Sequence, residues 1–173
     1  MMTKKIVPCT LDDLAALQQV SRQTFTDTFG DANTPEDLAA YLATAYSTKQ
    51  LTQELTQPTT TFDFILVEGR VAGYLKLNWD ASQSEHRGAQ SLEIERIYIL
   101  PAYKRQGLGK ALYQHAVDQA RRLHKTAIWL GVWEHNQPAR KFYERMGFQQ
   151  IGDHVFQLGS DAQRDLILQT TLV

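Results

Sequence analysis

Residues 100–110 read Leu-Pro-Ala-Tyr-Lys-Arg-Gln-Gly-Leu-Gly-Lys, between an apolar segment, residues 92–100, and a segment with helical spacing that begins at Leu108. Gly107 and Gly109 let the backbone turn tightly with its N–H groups pointing inward. The predicted helix adds its unpaired first N–H groups and the positive end of its dipole. Three cations accompany this turn: Lys104, Arg105 and Lys110. The stretch therefore predicts a site for an anion the size of a diphosphate.

Two familiar phosphate-binding loops do not match this stretch. A Walker A loop needs Gly-x4-Gly-Lys-Ser/Thr, and the dinucleotide fingerprint needs a third small residue where this chain has Leu112. A Gly-x-Gly pair alone also occurs in strand-to-helix turns for purely steric reasons. The prediction therefore depends on the order of strand, glycine loop, cations and helix, and not on the glycines alone.

The N-terminal half predicts one strand followed by helices. Residues 4–9 form a short apolar strand, and Thr10 caps a helix whose apolar positions continue through Leu14 and Leu17. A stronger helix start follows at Thr34-Pro35-Glu36-Asp37, with a cap, a proline at the first helical position and acids in the first turn. Residues 47–56 predict a further short helix.

Strands dominate the rest of the chain. Residues 62–67 and 71–79, joined by the turn Glu68-Gly69-Arg70, predict a hairpin, and residues 80–91 predict a polar loop. Strand 92–100, helix 108–124 and strand 126–133 form a unit whose two strands should be parallel. A helix at 137–146, ended by Gly147, and a final pair of strands at 148–158 and 166–172 complete the order.

Composition excludes several classes of function. The chain has 173 residues, 43% of them apolar, which fits one domain over residues 1–173. Its net charge of −1 disfavours nucleic-acid partners, and its five histidines form no metal-binding pattern, so no metal is expected. The single cysteine, Cys9, lies in the first predicted strand and is interpreted as structural rather than nucleophilic. Without a signal peptide or an apolar run long enough to span a membrane, the protein is expected to be soluble and cytoplasmic.

Two motifs resemble one protein family. Lys104-x-x-Gly107-x-Gly109 resembles the pyrophosphate loop Arg/Gln-x-x-Gly-x-Gly/Ala of the GNAT superfamily of N-acetyltransferases, with Lys104 as a departure at the first position. The block from Asn136 to Phe148 is similar to that family's Asn-x-x-Ala-x-x-Phe-Tyr-x-x-x-Gly-Phe. The resemblance implies an α/β (α+β) GNAT fold: a mixed, mostly antiparallel sheet of about seven strands with a splayed parallel pair, and helices on both faces. It also implies acetyl-CoA as cosubstrate, a binding core at about 92–148 and substrate-side helices at about 11–56.

The resemblance also implies roles for individual residues. The pantetheine arm is expected to pair with the strand at Ile97–Ile99, where a backbone N–H near Tyr98 faces the developing oxyanion. Tyr143 is the expected proton donor to the leaving thiolate, although packing against Phe142 and Phe148 would also explain it. The expected cofactor-binding residues are Ile97, Tyr98, Ile99, Lys104, Arg105, Gln106, Gly107, Leu108, Gly109, Lys110, Asn136 and Tyr143.

A carboxylate is expected to accept the proton of the amine, because most primary amines are protonated near neutral pH. Glu93 and Glu95 lie two apart on the predicted strand, so an ideal strand places both on one face. Glu93 has the spacing from Lys104 that the resemblance assigns to a general base. Glu95, a water molecule, or no dedicated base remain alternatives, and either glutamate also suits a solvated position or a pair with Arg96.

The acceptor is expected on the side of the early helices and the 80–91 loop. Candidate wall residues and acids are Phe25, Phe29, Tyr46, Tyr74, Trp79, Asp27, Asp31 and Asp80, of which Phe29, Tyr74, Trp79 and Asp80 are preferred; core packing or solvation would explain each one alone. Trp129-Leu130-Gly131-Val132-Trp133-Glu134-x-Asn136, with Thr28-Phe29-Gly30 and Thr34–Asp37, resembles the PaiA-type spermidine/spermine acetyltransferases, which implies a polyamine acceptor.

Three alternatives stay open from the sequence. The acceptor is otherwise a peptide or protein amine or an aminoglycoside, because the GNAT fold serves many amines. A non-catalytic module that binds acetyl-CoA is the alternative outside the enzymes. No membrane partner is expected, and the similarity leaves a homodimer open.

Overall fold

The computed structural model describes residues 1–173 as seven strands and five α-helices. In chain order these are β1 (Lys4–Pro8), α1 (Leu14–Phe29), α2 (Pro35–Ala45), α3 (Thr48–Leu55), β2 (Thr60–Val67), β3 (Arg70–Trp79), β4 (Ser91–Ile99), α4 (Leu108–Arg122), β5 (Ala127–Trp133), α5 (Gln137–Arg145), β6 (Gln149–Leu158) and β7 (Asp161–Thr171). The strands form one sheet in the order β1-β2-β3-β4-β5-β7-β6, antiparallel except for β4 with β5. The predicted fold class is confirmed.

Side-chain caps set the starts of the early helices. The Thr34 hydroxyl accepts a hydrogen bond from the Asp37 N–H at 3.1 Å, as the sequence predicts for α2. Ser47 caps α3 in the same way through the N–H of Gln50, also at 3.1 Å. A 3₁₀ turn precedes α1, where the Asp13 carboxylate accepts the Thr10 N–H at 2.9 Å. No helix of the structure is long and apolar enough to cross a membrane.

The two faces of the sheet carry separate apolar cores. On the face that we call the α4 face, α4 and α5 pack on a core that includes Leu92, Ile94 and Leu112. On the opposite side, the α1 face, helices α1–α3 pack on a core that includes Phe25 and Tyr74. Covering both faces with helices explains why the central strands are rich in apolar residues.

Strand β4 contains a bulge at Glu95. Leu77 of β3 lies opposite Ile94, but the preceding residue, Lys76, lies opposite Arg96, so Glu95 has no partner on β3. The apolar side chains before and after the bulge all pack on the α4 face: Leu92, Ile94, Ile97 and Ile99. The bulge therefore directs both Glu95 and Arg96 away from the α4 face.

The parallel pair β4–β5 separates soon after it begins. Pairing covers three positions, from Ser91 with Ala127 to Glu93 with Trp129. Beyond that point β4 continues beside β3 to Ile99, and β5 continues beside β7 to Trp133. An opening, which we call the cleft, therefore lies between residues 94–99 of β4 and residues 130–133 of β5.

The final hairpin differs from its prediction. The sequence predicts a strand that starts at Leu166, whereas β7 starts at Asp161 and pairs with the end of β6 at Leu158. That prediction was wrong because the mostly polar residues 161–164 extend past the end of β5 and pair only with β6, outside the apolar part of the sheet. The tip of the hairpin contacts α2, where the Asp37 carboxylate accepts hydrogen bonds from the Ser160 N–H at 3.1 Å and the Ser160 hydroxyl at 2.8 Å.

Candidate active site

The loop between β4 and α4 leaves the first turn of α4 open to a ligand. Arg105 and Gly107 adopt left-handed backbone conformations, with φ of 63° and 76°, and Gly107 is the N-cap of α4. The first N–H groups of α4 have no acceptor within the helix. Lys4 Nζ donates a hydrogen bond to the Gln106 carbonyl at 2.6 Å and ties this loop to β1. The three predicted cations, Lys104, Arg105 and Lys110, are exposed around it.

Helix α5 packs directly on this loop. A Cβ placed on Gly109 would lie 3.7 Å from the ring of Phe142. The side chain of Asn136 caps α5 by accepting the N–H of Ala139 at 3.3 Å. The two motifs that the sequence analysis took from different parts of the chain are therefore in contact.

One edge of the cleft consists of backbone groups without strand partners. The Leu100 N–H donates to the Ala72 carbonyl of β3 at 2.8 Å. Hydrogen-bonding direction alternates along a strand, so the N–H and C=O groups of Ile97 and Ile99 point away from β3 and into the cleft. The Tyr98 carbonyl oxygen points the other way, toward β3. A Cβ on Gly73 of β3 would lie only 2.3 Å from it, so this position requires glycine. The edge can pair with an extended ligand as it would with a strand.

Tyr143 lies beside the cleft on α5. Its ring packs at 5.3 Å from the ring of Phe142 and 5.5 Å from that of Phe148, measured between centroids. Burial raises the pKa of the Tyr143 hydroxyl. Burial also raises the pKa of the Tyr98 hydroxyl, which packs against the core of the α1 face. Tyr143 therefore packs as an aromatic core residue and stays protonated at neutral pH.

Glu93 lies on the α1 face where β4 and β5 begin to separate, and it is 3% exposed. Asn78 Nδ2 donates to Glu93 Oε1 at 2.9 Å, and the Ser84 N–H donates to the same oxygen at 2.8 Å. The Ser84 hydroxyl contacts Glu93 Oε2. Burial, reinforced by the charge of Glu95, raises the pKa of Glu93 in spite of these hydrogen bonds.

Glu95 is part of a buried group of charges. It forms an ion pair with Lys76, and the same lysine contacts Glu54 of α3. Arg96 Nη1 lies 3.5 Å from Glu54 Oε1, and Arg96 Nε lies 3.9 Å from Glu95 Oε2. Burial opposes ionisation of Glu95, but Arg96 and Lys76 outweigh burial and lower its pKa. Both predicted glutamates thus lie on one face. The surroundings of Glu93 raise its pKa, whereas those of Glu95 lower its pKa.

The predicted wall residues divide between the two faces. Phe25, Phe29, Tyr46 and Tyr74 belong to the core of the α1 face, on the side of Glu93. Trp79 packs against the core of the α4 face instead. Asp80 pairs with Lys125 at 2.6 Å, beyond the end of α4. Asp27 and Asp31 are exposed.

The structure adds a site around Gly131 that the sequence analysis did not select. Gly131 lies in the middle of β5 yet is exposed, and a Cβ there would lie 3.5 Å from Asp165 Oδ2 and 3.5 Å from His154 Cε1. Glu85 from the 80–90 loop contacts His154 Nδ1. We call this space the Gly131 hollow. The sequence did carry a signal for this hollow. Gly131 stands between Trp129 and Trp133, and residues two apart on a strand lie on the same face.

Aromatic side chains adjoin the hollow. Trp133 lies 5.6 Å from Phe29 and Tyr41 lies 5.6 Å from Phe156, between ring centroids. Trp133, Tyr41 and Phe156 are half-buried, so part of each ring faces outward. These three residues, like Asn78 and Ser84, were missed because they lie on five separate segments that only the folded chain brings together.

Two other candidate chemistries have no counterpart at this site. No group of three or more His, Cys, Asp or Glu side chains is arranged to hold a metal ion. Burial, with the nearby charge of Asp63, raises the pKa of the Cys9 thiol far above neutrality. The thiolate that nucleophilic chemistry requires is therefore scarce at Cys9.

Residues 15–148 match the Acetyltransferase (GNAT) family. An uncharacterized N-acetyltransferase of Lactobacillus delbrueckii subsp. lactis is 44% identical over 169 residues, which cover 98% of each chain. An uncharacterized N-acetyltransferase of Mycobacterium tuberculosis is 30% identical over 94% of this chain and 97% of its own. Among solved structures, the PaiA N-acetyltransferase of Thermoplasma acidophilum in complex with coenzyme A superposes with a TM-score of 0.81 at 20% identity, covering 98% of this chain and 99% of that chain.

Proposed function

The chain belongs to the GNAT family of acetyltransferases and uses acetyl-CoA as cosubstrate, and on that premise we propose that it acetylates a primary amine of a polyamine such as spermidine or spermine. Acetyl-CoA supplies an activated acyl group as a thioester. The residues around the α4 N-terminus and the cleft suit this cosubstrate: free N–H groups and cations for the diphosphate, and backbone groups of Ile97 and Ile99 for the extended arm.

The excess of acidic groups on the α1 face is the observation that carries the polyamine proposal. Five carboxylates lie in the region from Glu93 to the Gly131 hollow: Glu54, Glu85, Glu93, Glu95 and Asp165. Three lysine or arginine side chains accompany them: Lys76, Arg87 and Arg96. A site with more carboxylates than cations attracts a substrate with several ammonium groups.

The half-buried aromatic rings beside the hollow support the same class of acceptor. Trp133, Tyr41 and Phe156 offer ring faces and apolar edges next to the carboxylates. Ammonium groups bind favourably over aromatic faces, and the methylene segments of a polyamine can pack on apolar edges. A flexible chain of alternating cations and methylenes fits such a surface.

Within this proposal Glu93 accepts the proton of the attacking amine, directly or through water. Its raised pKa makes it a stronger base than an ordinary glutamate. Glu95 is the weaker candidate, because its ion pair with Lys76 lowers its pKa. Tyr143 remains protonated and donates to the departing thiolate, and the N–H groups of Ile97 and Ile99 face the carbonyl oxygen on which charge develops.

A thiol-release assay with acetyl-CoA and a panel of amines tests the proposal. The panel contains spermidine, spermine, a monoamine with a similar methylene chain, an aminoglycoside and a peptide with a free N-terminus. We expect the largest kcat/KM with the polyamines and a decrease as salt is added, because salt screens the acidic face. A peptide or aminoglycoside with a larger kcat/KM would refute the polyamine acceptor and keep the acetyltransferase.

A matched pair of variants connects the preference to the acidic face. Asp165→Asn removes a carboxylate of the Gly131 hollow, so KM for spermidine should increase while KM for acetyl-CoA stays the same. Asp153→Asn is the control, since Asp153 is an exposed acid that pairs with Arg164 at 2.7 Å and lies outside the hollow. Equal effects of the two variants would contradict the assignment of the hollow to the acceptor.

A further inference from the structure

Glu93 is held between two groups that act on its proton in opposite ways. We propose that Glu95 and Ser84 are positioning residues that set the proton affinity of Glu93, Glu95 raising it through a fixed negative charge and Ser84 lowering it through hydrogen bonds to the carboxylate. This inference rests on the proposed role of Glu93 as the base.

The bulge in β4 is what brings the two glutamates together. Because Glu95 has no partner on β3, it shares the α1 face with Glu93, and Lys76 and Asn78 of β3 point to that face as well. Asn78 donates to Glu93 at 2.9 Å, and Lys76, two residues earlier on β3, forms an ion pair with Glu95. The two carboxylates thus lie side by side on the α1 face, each held by one of two neighbouring β3 side chains.

The charge of Glu95 is fixed by its partners. Lys76 pairs with Glu95 and is 5% exposed, so the ion pair is poorly screened by solvent. Glu54 contacts the same lysine and lies 3.5 Å from Arg96, which completes a group of two cations and two carboxylates. Glu95 therefore remains ionised when Glu93 takes up a proton, so its repulsion of an ionised Glu93 persists.

Ser84 has the opposite effect. It lies in the exposed 80–90 loop and reaches back to Glu93 with its backbone N–H, at 2.8 Å, and with its hydroxyl. Hydrogen bonds donated to a carboxylate favour its ionised form. The loop that covers this end of the cleft thus also limits how far the pKa of Glu93 is raised.

The remaining charges near Glu93 are paired with other groups. On the same loop, Glu85 pairs with Arg87 at 2.8 Å and contacts His154 of β6. From β5 the neighbour opposite Glu93 is Trp129, which carries no charge. Lys76, Arg96 and Glu54 belong to the group around Glu95. The neighbours that act on Glu93 directly are Glu95, Asn78 and Ser84.

The test is the acid limb of the profile of kcat/KM against pH, measured with spermidine. A base acts only when ionised, so the rate rises with pH through the pKa of Glu93. Glu95→Gln removes the repulsion and should move the limb to lower pH by about one unit. Ser84→Ala removes one hydrogen bond and should move the limb to higher pH by roughly half a unit.

Asp63→Asn is the matched control, because it removes a buried carboxylate that pairs with His115 of α4 at 3.4 Å and has no contact with Glu93. We expect it to lower thermal stability and to leave the acid limb in place. A purely structural role for Glu95 would lower activity at all pH values without moving the limb. Limb shifts in the same direction for Glu95→Gln and Ser84→Ala, or no shift in either, would overturn the inference.

Glu93→Gln separates the failure of this inference from failure of the proposed base. If Glu93→Gln abolishes the acid limb while Glu95→Gln and Ser84→Ala leave it unmoved, only this inference fails. If Glu93→Gln retains the wild-type limb, the base assignment fails and takes this inference with it. Should Glu95→Gln not fold, Ser84→Ala still tests the inference, because it changes only an exposed residue and the limb must move to higher pH.

Discussion

At the scale of single residues, two tyrosines that pack against the same phenylalanine can be compared. Tyr143 and Tyr113 both pack edge-on against Phe148, at 5.5 Å and 5.7 Å between ring centroids. Tyr143 is buried beside the cleft, whereas Tyr113 lies on α4 and is half-buried. Removing each hydroxyl in turn therefore separates the proposed acid role of Tyr143 from a role in packing alone.

Tyr143→Phe should therefore reduce kcat by about 100-fold, the typical worth of a positioned acid, with little change in the affinity for acetyl-CoA. Steady-state kinetics and calorimetric titration with CoA measure the two quantities. Tyr113→Phe is the control and should retain wild-type turnover. Unchanged turnover in Tyr143→Phe would remove the acid role and leave Tyr143 as a packing residue.

Gly109 makes a second prediction at this scale. Gly109→Glu should abolish CoA binding, because its carboxylate would stand at the α4 N-terminus where the diphosphate is expected. An acid in the first turn favours the helix itself, so the variant should fold as well as the wild type by thermal unfolding. Gly109→Ala adds only a Cβ at 3.7 Å from Phe142, an ordinary contact, and should still bind. Retained binding in Gly109→Glu would mean that the anion site is elsewhere.

At the scale of elements, one carboxylate, Asp37, makes the hydrogen bonds between the tip of the β6–β7 hairpin and α2. The hydrogen bonds from Ser160 lower the pKa of Asp37, so this contact contributes stability above the unfolded-state pKa of an aspartate and loses it as the pH falls through the lower, folded-state value. A Cβ at Gly159 would lie 2.5 Å from Asp37 Oδ1, so the close approach requires glycine at the hairpin tip.

Asp37→Asn should accordingly speed amide hydrogen exchange at Ser160 at neutral pH, and the difference from the wild type should shrink as the medium becomes acidic. Hydrogen exchange followed by mass spectrometry measures both. Glu36→Gln changes the adjacent acid in the first turn of α2, which is exposed, and serves as the control. Equal exchange in Asp37→Asn and the wild type at neutral pH would show that the hairpin tip is held by other contacts.

The sequence predicts the helices and strands better than it predicts the register with which the strands pair. Caps at Thr34 and Ser47 act locally, so the helix starts were accessible, and the apolar runs located the strands. The bulge at Glu95 was not predicted. Its only trace in the sequence is a shift of one position in the apolar alternation, which runs through Leu92 and Ile94 and resumes at Ile97 and Ile99. The placement of Trp79 on the α4 face likewise depends on the register between β3 and β4.

At the scale of the whole molecule, we propose that the cosubstrate takes the place of the strand pairing that β4 and β5 lack beyond Glu93. Acetyl-CoA should raise the melting temperature, since a ligand at 100 times its Kd stabilises the folded state by about 2.7 kcal/mol. Differential scanning calorimetry measures this, and Gly109→Glu should show no increase. An unchanged melting temperature of the wild type at saturating acetyl-CoA would contradict binding in the cleft.

The sequence predicts the cosubstrate side of the candidate site but not the acceptor side, and the reason lies in how the whole chain is folded. The cosubstrate side is built from two contiguous motifs around Gly107 and Tyr143, which a linear pattern captures. The acceptor side combines Ser84, Gly131 and His154 from three distant segments, joined by contacts such as that between Glu85 and His154. Such a surface has no local signature and emerges only from the strand order.

The three-residue pairing of β4 with β5 has a mechanical consequence. Strands β1–β4 come from residues 4–99 and strands β5–β7 from residues 127–171, so the sheet consists of two ribbons, each continuous in the chain, joined along a short central seam. Each ribbon is paired internally along its strands, whereas the two share only three paired positions. A cosubstrate bound in the cleft would bridge the two ribbons, so we expect its binding to stiffen the sheet along the midline and the departure of CoA to undo this.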